Sequence, residues 1–120
     1  MNNKLQDGWQ IFQLDELLKM VEGNDPRFHE FLHKPSMSMG VYRLPRGSKD
    51  MQSPHLEDEI YVVLDGKATL TLDGEDREAV KGSILFVAAN TTHSFFNIEE
   101  DLTVLAFFGS QLPPVASYTP

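Results

Sequence analysis

Two short segments carry the residues best suited to chemistry. The first reads Gly47-x5-Ser53-x-His55-x3-Glu59-x6-Gly66, and the second reads Gly82-x5-Ala88-x-Asn90-x2-His93-x3-Asn97. Imidazoles and carboxylates are metal donors, and two His with one carboxylate around open positions is the ligand set of many non-haem iron centres. Taken singly, each residue has a plainer reading. A lone His in a β protein is usually structural or on the surface. Glu59, in the run Glu57-Asp58-Glu59, reads as a solvated carboxylate. His55 and Glu59 are even-spaced, so an extended segment turns both to one face unless a turn between them breaks the parity. A carboxylate and imidazoles turned into an interior are costly without partners, and a metal is the simplest partner. His29 and His33 read as surface or strand residues.

The elements that must position these groups are mostly strands. Leu14, Leu17, Leu18 and Val21 fall at i, i+3, i+4 and i+7, which predicts a short helix over 14–21. Gly23 and Asn24 stop it, with Pro26 just beyond. So short a helix is marginal alone and must dock, here on the outside of the β domain. From Arg27 onward the pattern predicts strands at 28–33 and 37–44, the second ended by Pro45 and Gly47. The unbroken apolar run 60–64 predicts a strand buried on both faces. Asp65-Gly66 and Asp73-Gly74 are type I′ hairpin signals, and 67–73 alternates between them with Ala68, Leu70 and Leu72 inward. Strands follow at 77–80, 84–89, 93–98 and 102–108, with turns at Lys81-Gly82 and Asn90-Thr91-Thr92. Many short strands with turn signals between them predict an all-β sandwich or barrel.

Parity proposes the pocket wall. Tyr61 and Val63 share a face with Glu59, and Phe95 shares one with His93, together with Asn97. Tyr42 and Phe107 are further pocket-lining candidates whose faces the pattern leaves open. An aromatic interior is either core packing or a box for a small, partly apolar ligand.

The chain has 120 residues and is expected to form one domain: an N-terminal arm and helix over 1–26, a barrel over about 27–110 and an extended tail over 111–120. The absence of cysteine excludes disulfides, thiolate nucleophiles and Cys-ligated zinc. The net charge of −8 is dispersed, which argues against nucleic-acid binding and for solubility. The N-terminus shows no apolar signal core, and no apolar run nears the ~18 residues that span a bilayer. A soluble cytoplasmic protein without membrane contact is expected.

The two segments resemble the paired motifs of the cupin superfamily, G-x5-H-x-H-x3-4-E-x6-G and G-x5-P-x-G-x2-H-x3-N. Every spacing matches, and the resemblance covers roughly residues 40 to 108. It implies a double-stranded β-helix, the jelly-roll barrel of that family, with a short N-terminal helix added here. It implies His55, Glu59 and His93 as ligands of one divalent metal on neighbouring strands, and it sets Arg43 beside the site. Arg43 then either holds a substrate carboxylate or is a surface residue. Three positions depart from the pattern: Ser53 replaces a His ligand, Ala88 a Pro, and Asn90 a Gly. Asn tolerates the left-handed backbone of a turn. Ser53 has three readings. It leaves a position open for water, as catalytic sites do; or Gln52 or Glu57 substitutes for the missing ligand; or the metal is lost and an organic ligand is held by hydrogen bonds. Nitrogen and oxygen donors without sulfur suit Fe, Mn, Ni, Co or Zn.

The resemblance therefore implies a metal-dependent enzyme on a small molecule, of dioxygenase or other oxidoreductase type. The alternatives are an isomerase or lyase using the metal as a Lewis acid, and a small-ligand binding module without turnover. A storage or structural role is a poorer match. Strands apolar on both faces need an outer cover; the helix supplies part, and a homodimer is expected to supply the rest.

Overall fold

In a computed structural model of the chain, residues 8–50 and 56–109 are described. Gln52, Ser53 and His55 lie outside the described residues, as does the 111–120 tail.

The element order is α1 (Leu14–Lys19), β1 (Arg27–His33), β2 (Met37–Leu44), β3 (Glu59–Leu72), β4 (Glu75–Val80), β5 (Ile84–Val87) and β6 (His93–Gly109). All strand pairings are antiparallel, in the order β1-β2-β6-β3-β4, and β5 pairs with β3 as well. The β3–β6 ribbon is the spine. β3 takes β5 along its first half and β4 along its second.

Two expectations change here. No hairpin forms at Asp65-Gly66; β3 runs through it for 14 residues. The predicted strands 93–98 and 102–108 are likewise one 17-residue strand, β6. The physical reason is a set of bulges. Register shifts fall between Val63 and Asp65, Asp65 and Lys67, and Lys67 and Thr69. Buried residues on β3 are Glu59, Tyr61 and Val63 before this region, then Gly66, Ala68 and Leu70 after it, so the inward parity flips. On β6 the buried set runs His93, Phe95, then Ile98, Leu102, Val104 and Ala106, with the flip at Asn97. Asn97 has φ +49 and Gly66 has φ +99, the left-handed backbone that such kinks demand. Asn97 is thus exposed at a bulge and does not share the inner face with His93. Gly66 is also a close-packing point: a Cβ there would run into the Asp101 carbonyl oxygen and the Leu102 backbone. A Gly at a strand bend reads as a hairpin in sequence because both need positive φ.

Asp73 (φ +50) and Gly74 (φ +83) do form the tight turn, joining β3 to β4. The core inside the sheet is Leu44, Tyr61, Val63, Ala68, Leu70, Ala79, Val87, Phe95, Ile98, Leu102, Val104 and Ala106. The helix ends at Lys19, and its turn carries Val21 into a fully buried position, while Phe12 packs edge-on against Phe31 of β1 at 4.9 Å. None of the helices among the described residues is long and apolar enough to cross a membrane.

The outer face is less covered than an apolar run buried on both sides requires. Register lines up Met39, Phe107, Ile60 and Phe86 across β2, β6, β3 and β5, and next to it Val41, Leu105, Val62 and Ile84. Val41 is fully buried, but exposure grows toward β5, reaching 63% at Phe86 and 73% at Ile84.

Candidate metal centre

Glu59 opens β3 and His93 opens β6, at opposite ends of the ribbon: Glu59 pairs with Phe108, and His93 with Leu72. Both are on the inner face of their strands and nearly inaccessible, 1% and 3% exposed. Glu59 Oε1 stands 3.2 Å from His93 Nε2. Two anchors set this pose. Asp58 Oδ1 accepts from Ala89 N at 2.8 Å, tying the start of β3 to the loop after β5. Thr91 turns back on Ala88, with Asn90 left-handed between them at φ +62.

The Thr91 carbonyl also orients the ring. It lies 2.8 Å from His93 Nδ1 and can only accept, so Nδ1 carries a proton and the neutral ring keeps its lone pair on Nε2. That lone pair faces Glu59 Oε1 and the Tyr61 hydroxyl, each 3.2 Å away. A backbone carbonyl on the far nitrogen is the usual support of a metal-ligating His. The hydrogen bond with Glu59 raises the His93 pKa above the ordinary imidazole value; burial works against it, and the Thr91 carbonyl adds to the rise.

The donor pair fits a metal. Donors held at about 2.0–2.2 Å from one ion stand roughly 2.8–3.6 Å apart at octahedral to tetrahedral angles. The observed 3.2 Å falls inside that interval. Among the described residues, no group of three His, Cys, Asp or Glu side chains forms. His55, which the motif spacing adds to the set, lies outside the described residues, with Ser53 and Gln52.

The remaining sequence candidates separate into three places. Tyr61, Val63 and Phe95 are buried on the inner face around the donor pair, with the Tyr61 and Phe95 rings 5.2 Å apart at 64°. Tyr42 is half-buried against the core, and its hydroxyl donates to Asp50 Oδ1 at 2.7 Å. Burial, then Asp50, pushes the Tyr42 phenol far up, so it stays a neutral donor. Phe107 faces outward, lining a groove with Ile60, Val62 and Phe86, and Phe108 is the β6 aromatic that packs on the core. Arg43 pairs with Asp101 at 3.1 Å and reaches the Gly23 carbonyl, which holds it in a surface ion pair.

Sequence reasoning missed Asp50, Thr91 and Phe28. Asp50 also accepts from Phe95 N at 2.9 Å, so one carboxylate links β2, the loop after it and the strand of His93. Phe28 sits edge-on to Tyr42 and Phe108 over the bare backbone of Gly40. Of the three, Phe28 alone had a signal, since Gly40 in a strand marks a close approach.

An all-antiparallel, curled sheet with an inward carboxylate–imidazole pair defines a class, the double-stranded β-helix proteins with a candidate metal centre inside. Residues 40–108 match the Cupin domain family, and the chain belongs to the cupin superfamily. It is 41% identical over 97 residues to an uncharacterised Streptomyces coelicolor protein, covering 81% of this chain and 92% of that one. In structure it resembles a protein from Thermus thermophilus with TM-score 0.72 at 18% identity, covering 83% and 96% of the two chains. It also resembles the DMSP lyase DddQ from Ruegeria pomeroyi with TM-score 0.67 at 18% identity, covering 76% of this chain and 50% of that one. At these identities the structural likeness concerns the fold. Cupins often bind a metal.

Proposed function

We propose that the chain is a metal-dependent cupin enzyme acting on a small molecule, with one divalent ion held by Glu59, His93 and His55. The observation that carries the reading is the 3.2 Å approach of Glu59 Oε1 to His93 Nε2 inside the barrel. The bound metal would supply open coordination positions for substrate and, for iron, for oxygen; a dioxygenase-type oxidoreductase is the first assignment. The chain's own part is to hold the two donors dry and fixed. Thr91 keeps the His93 lone pair turned inward, and Tyr61, Val63 and Phe95 exclude water around it. A second reading is a lyase or isomerase in which the ion acts as a Lewis acid. It draws support from the DMSP lyase that shares this fold.

The same reading takes the chain as a homodimer, joined through the outer face near β5. The two apolar rows there carry no charge, which keeps two acidic chains from meeting through like charges.

Plasma mass spectrometry on untagged protein, beside His93→Ala, tests the metal. Near-stoichiometric metal lost in the variant supports the centre, and iron would rank oxygen chemistry above Lewis-acid chemistry. No metal after reconstitution with Fe(II), Mn(II), Ni(II), Co(II) and Zn(II) would overturn it in favour of a ligand-binding module.

A further inference from the structure

Tyr61 is the one phenol on the inner face of β3, two residues beyond Glu59 and 1% exposed. Its hydroxyl oxygen lies 3.2 Å from His93 Nε2, the same separation that Glu59 Oε1 keeps from that atom. With the Nδ1 proton given to Thr91, Nε2 has a single lone pair, and two oxygens converge on it. A metal ion placed among them would take all three as donors, and each 3.2 Å separation is of the length expected between two ligands of one ion.

We propose that Tyr61 is a metal ligand, giving the centre a phenolate oxygen beside the Glu59 carboxylate and the His93 imidazole. The proposal rests on the metal-centre reading above and adds a donor to it. The ring cannot turn away, because Phe95 packs on it at 5.2 Å within the core. On binding, the O–H bond breaks, its proton passes to water, and the oxygen lone pair forms the bond to the metal; no electrons change hands. A phenolate and a carboxylate put two negative oxygens on the ion. Such a set favours a hard, oxygen-preferring metal, iron or manganese, over a soft one. It also adds an oxygen donor to a set from which the Ser53 substitution removes a His of the family motif.

Iron is the probe. Fe(II) is added to the metal-free protein without oxygen, oxidised in air to Fe(III), and freed of excess ion. Iron content and the visible spectrum are then recorded for the parent and for Tyr61→Phe. Phenolate on Fe(III) gives a visible charge-transfer band that carboxylate and imidazole do not. The expected result is bound iron with the band in the parent, and loss of the band in the variant. Phenolate modes in the parent's resonance Raman spectrum supply the same reading even where the variant fails to fold. Bound iron without the band overturns the Tyr61 assignment and leaves the Glu59–His93 centre standing. A band that survives in Tyr61→Phe overturns it too, because another phenol then supplies it. No bound iron, Mn(II), Ni(II), Co(II) or Zn(II) overturns the centre and the Tyr61 assignment together.

Discussion

Glu59 and His93 meet at 3.2 Å although they stand at opposite ends of the β3–β6 ribbon. Along β3 the rungs that hold them, Glu59 and Leu72, are 13 steps apart, which in a straight strand is about 43 Å at ~3.3 Å per residue. The ribbon must therefore curl until its ends face one another, and the candidate centre sits at that closure. Everything that bends β3 and β6 is a determinant of the site.

Gly66 is the sharpest such determinant. Gly66→Ala would place a Cβ against Asp101 and Leu102 at φ +99. A strained non-Gly backbone costs about 1–3 kcal/mol, and the overlap adds to it. Chemical denaturation should show a loss above about 2 kcal/mol, accompanied by loss of metal binding. A variant as stable as the parent would mean that the bend does not depend on this residue.

The metal-free protein should lose stability as pH rises past neutrality. The folded protein holds the His93 proton more tightly than the unfolded chain does, chiefly through Glu59. That stabilisation is complete below about pH 6.5 and disappears as pH climbs through the raised folded value. Unfolding free energies across this window should fall for the parent and stay flatter for Glu59→Gln. Metal binding should follow the opposite trend, because it needs the neutral ring. NMR titration should place the His93 midpoint lower in Glu59→Gln; an unmoved midpoint would contradict the pairing.

Asp50 should matter more than its place in a polar loop suggests. Asp50→Ala leaves the Tyr42 hydroxyl and the Phe95 amide without this acceptor. Loss of such a partner costs about 1–3 kcal/mol per buried group. Asp50→Asn keeps one acceptor oxygen and should fall between the parent and Asp50→Ala in thermal unfolding.

The proposed dimer is checked at Phe86, 63% exposed on β5. Phe86→Glu should convert a dimeric parent to a monomer in sedimentation velocity with its circular dichroism unchanged. A parent that sediments as a monomer at every concentration would remove the homodimer from the reading.

Much was legible in the chain alone. Leu70, Ala68 and the Asp73-Gly74 turn follow from period-two alternation and from two residues that accept positive φ, both of which are local effects. The motif spacings point to the family and single out His55, Glu59 and His93 together; the structure describes the last two. Asn90, where the family motif has Gly, is a residue type that tolerates left-handed backbone, and it adopts it at φ +62.

Only the tertiary structure decided the rest. Asp65-Gly66 has the local chemistry of a hairpin, and it became a bend because Asp101 and Leu102 of β6 lie against it. Phe107 and Phe108 have equal claims to the interior in sequence, and a parity flip at Asn97, a bulge set by pairing with β3, sent Phe107 outward. Arg43 was claimed by Asp101, 58 residues away. Local sequence determines which backbone angles and faces are available. Closure of the ribbon, a contact between distant segments, determines which of them are used and brings Glu59, Tyr61 and His93 to one point.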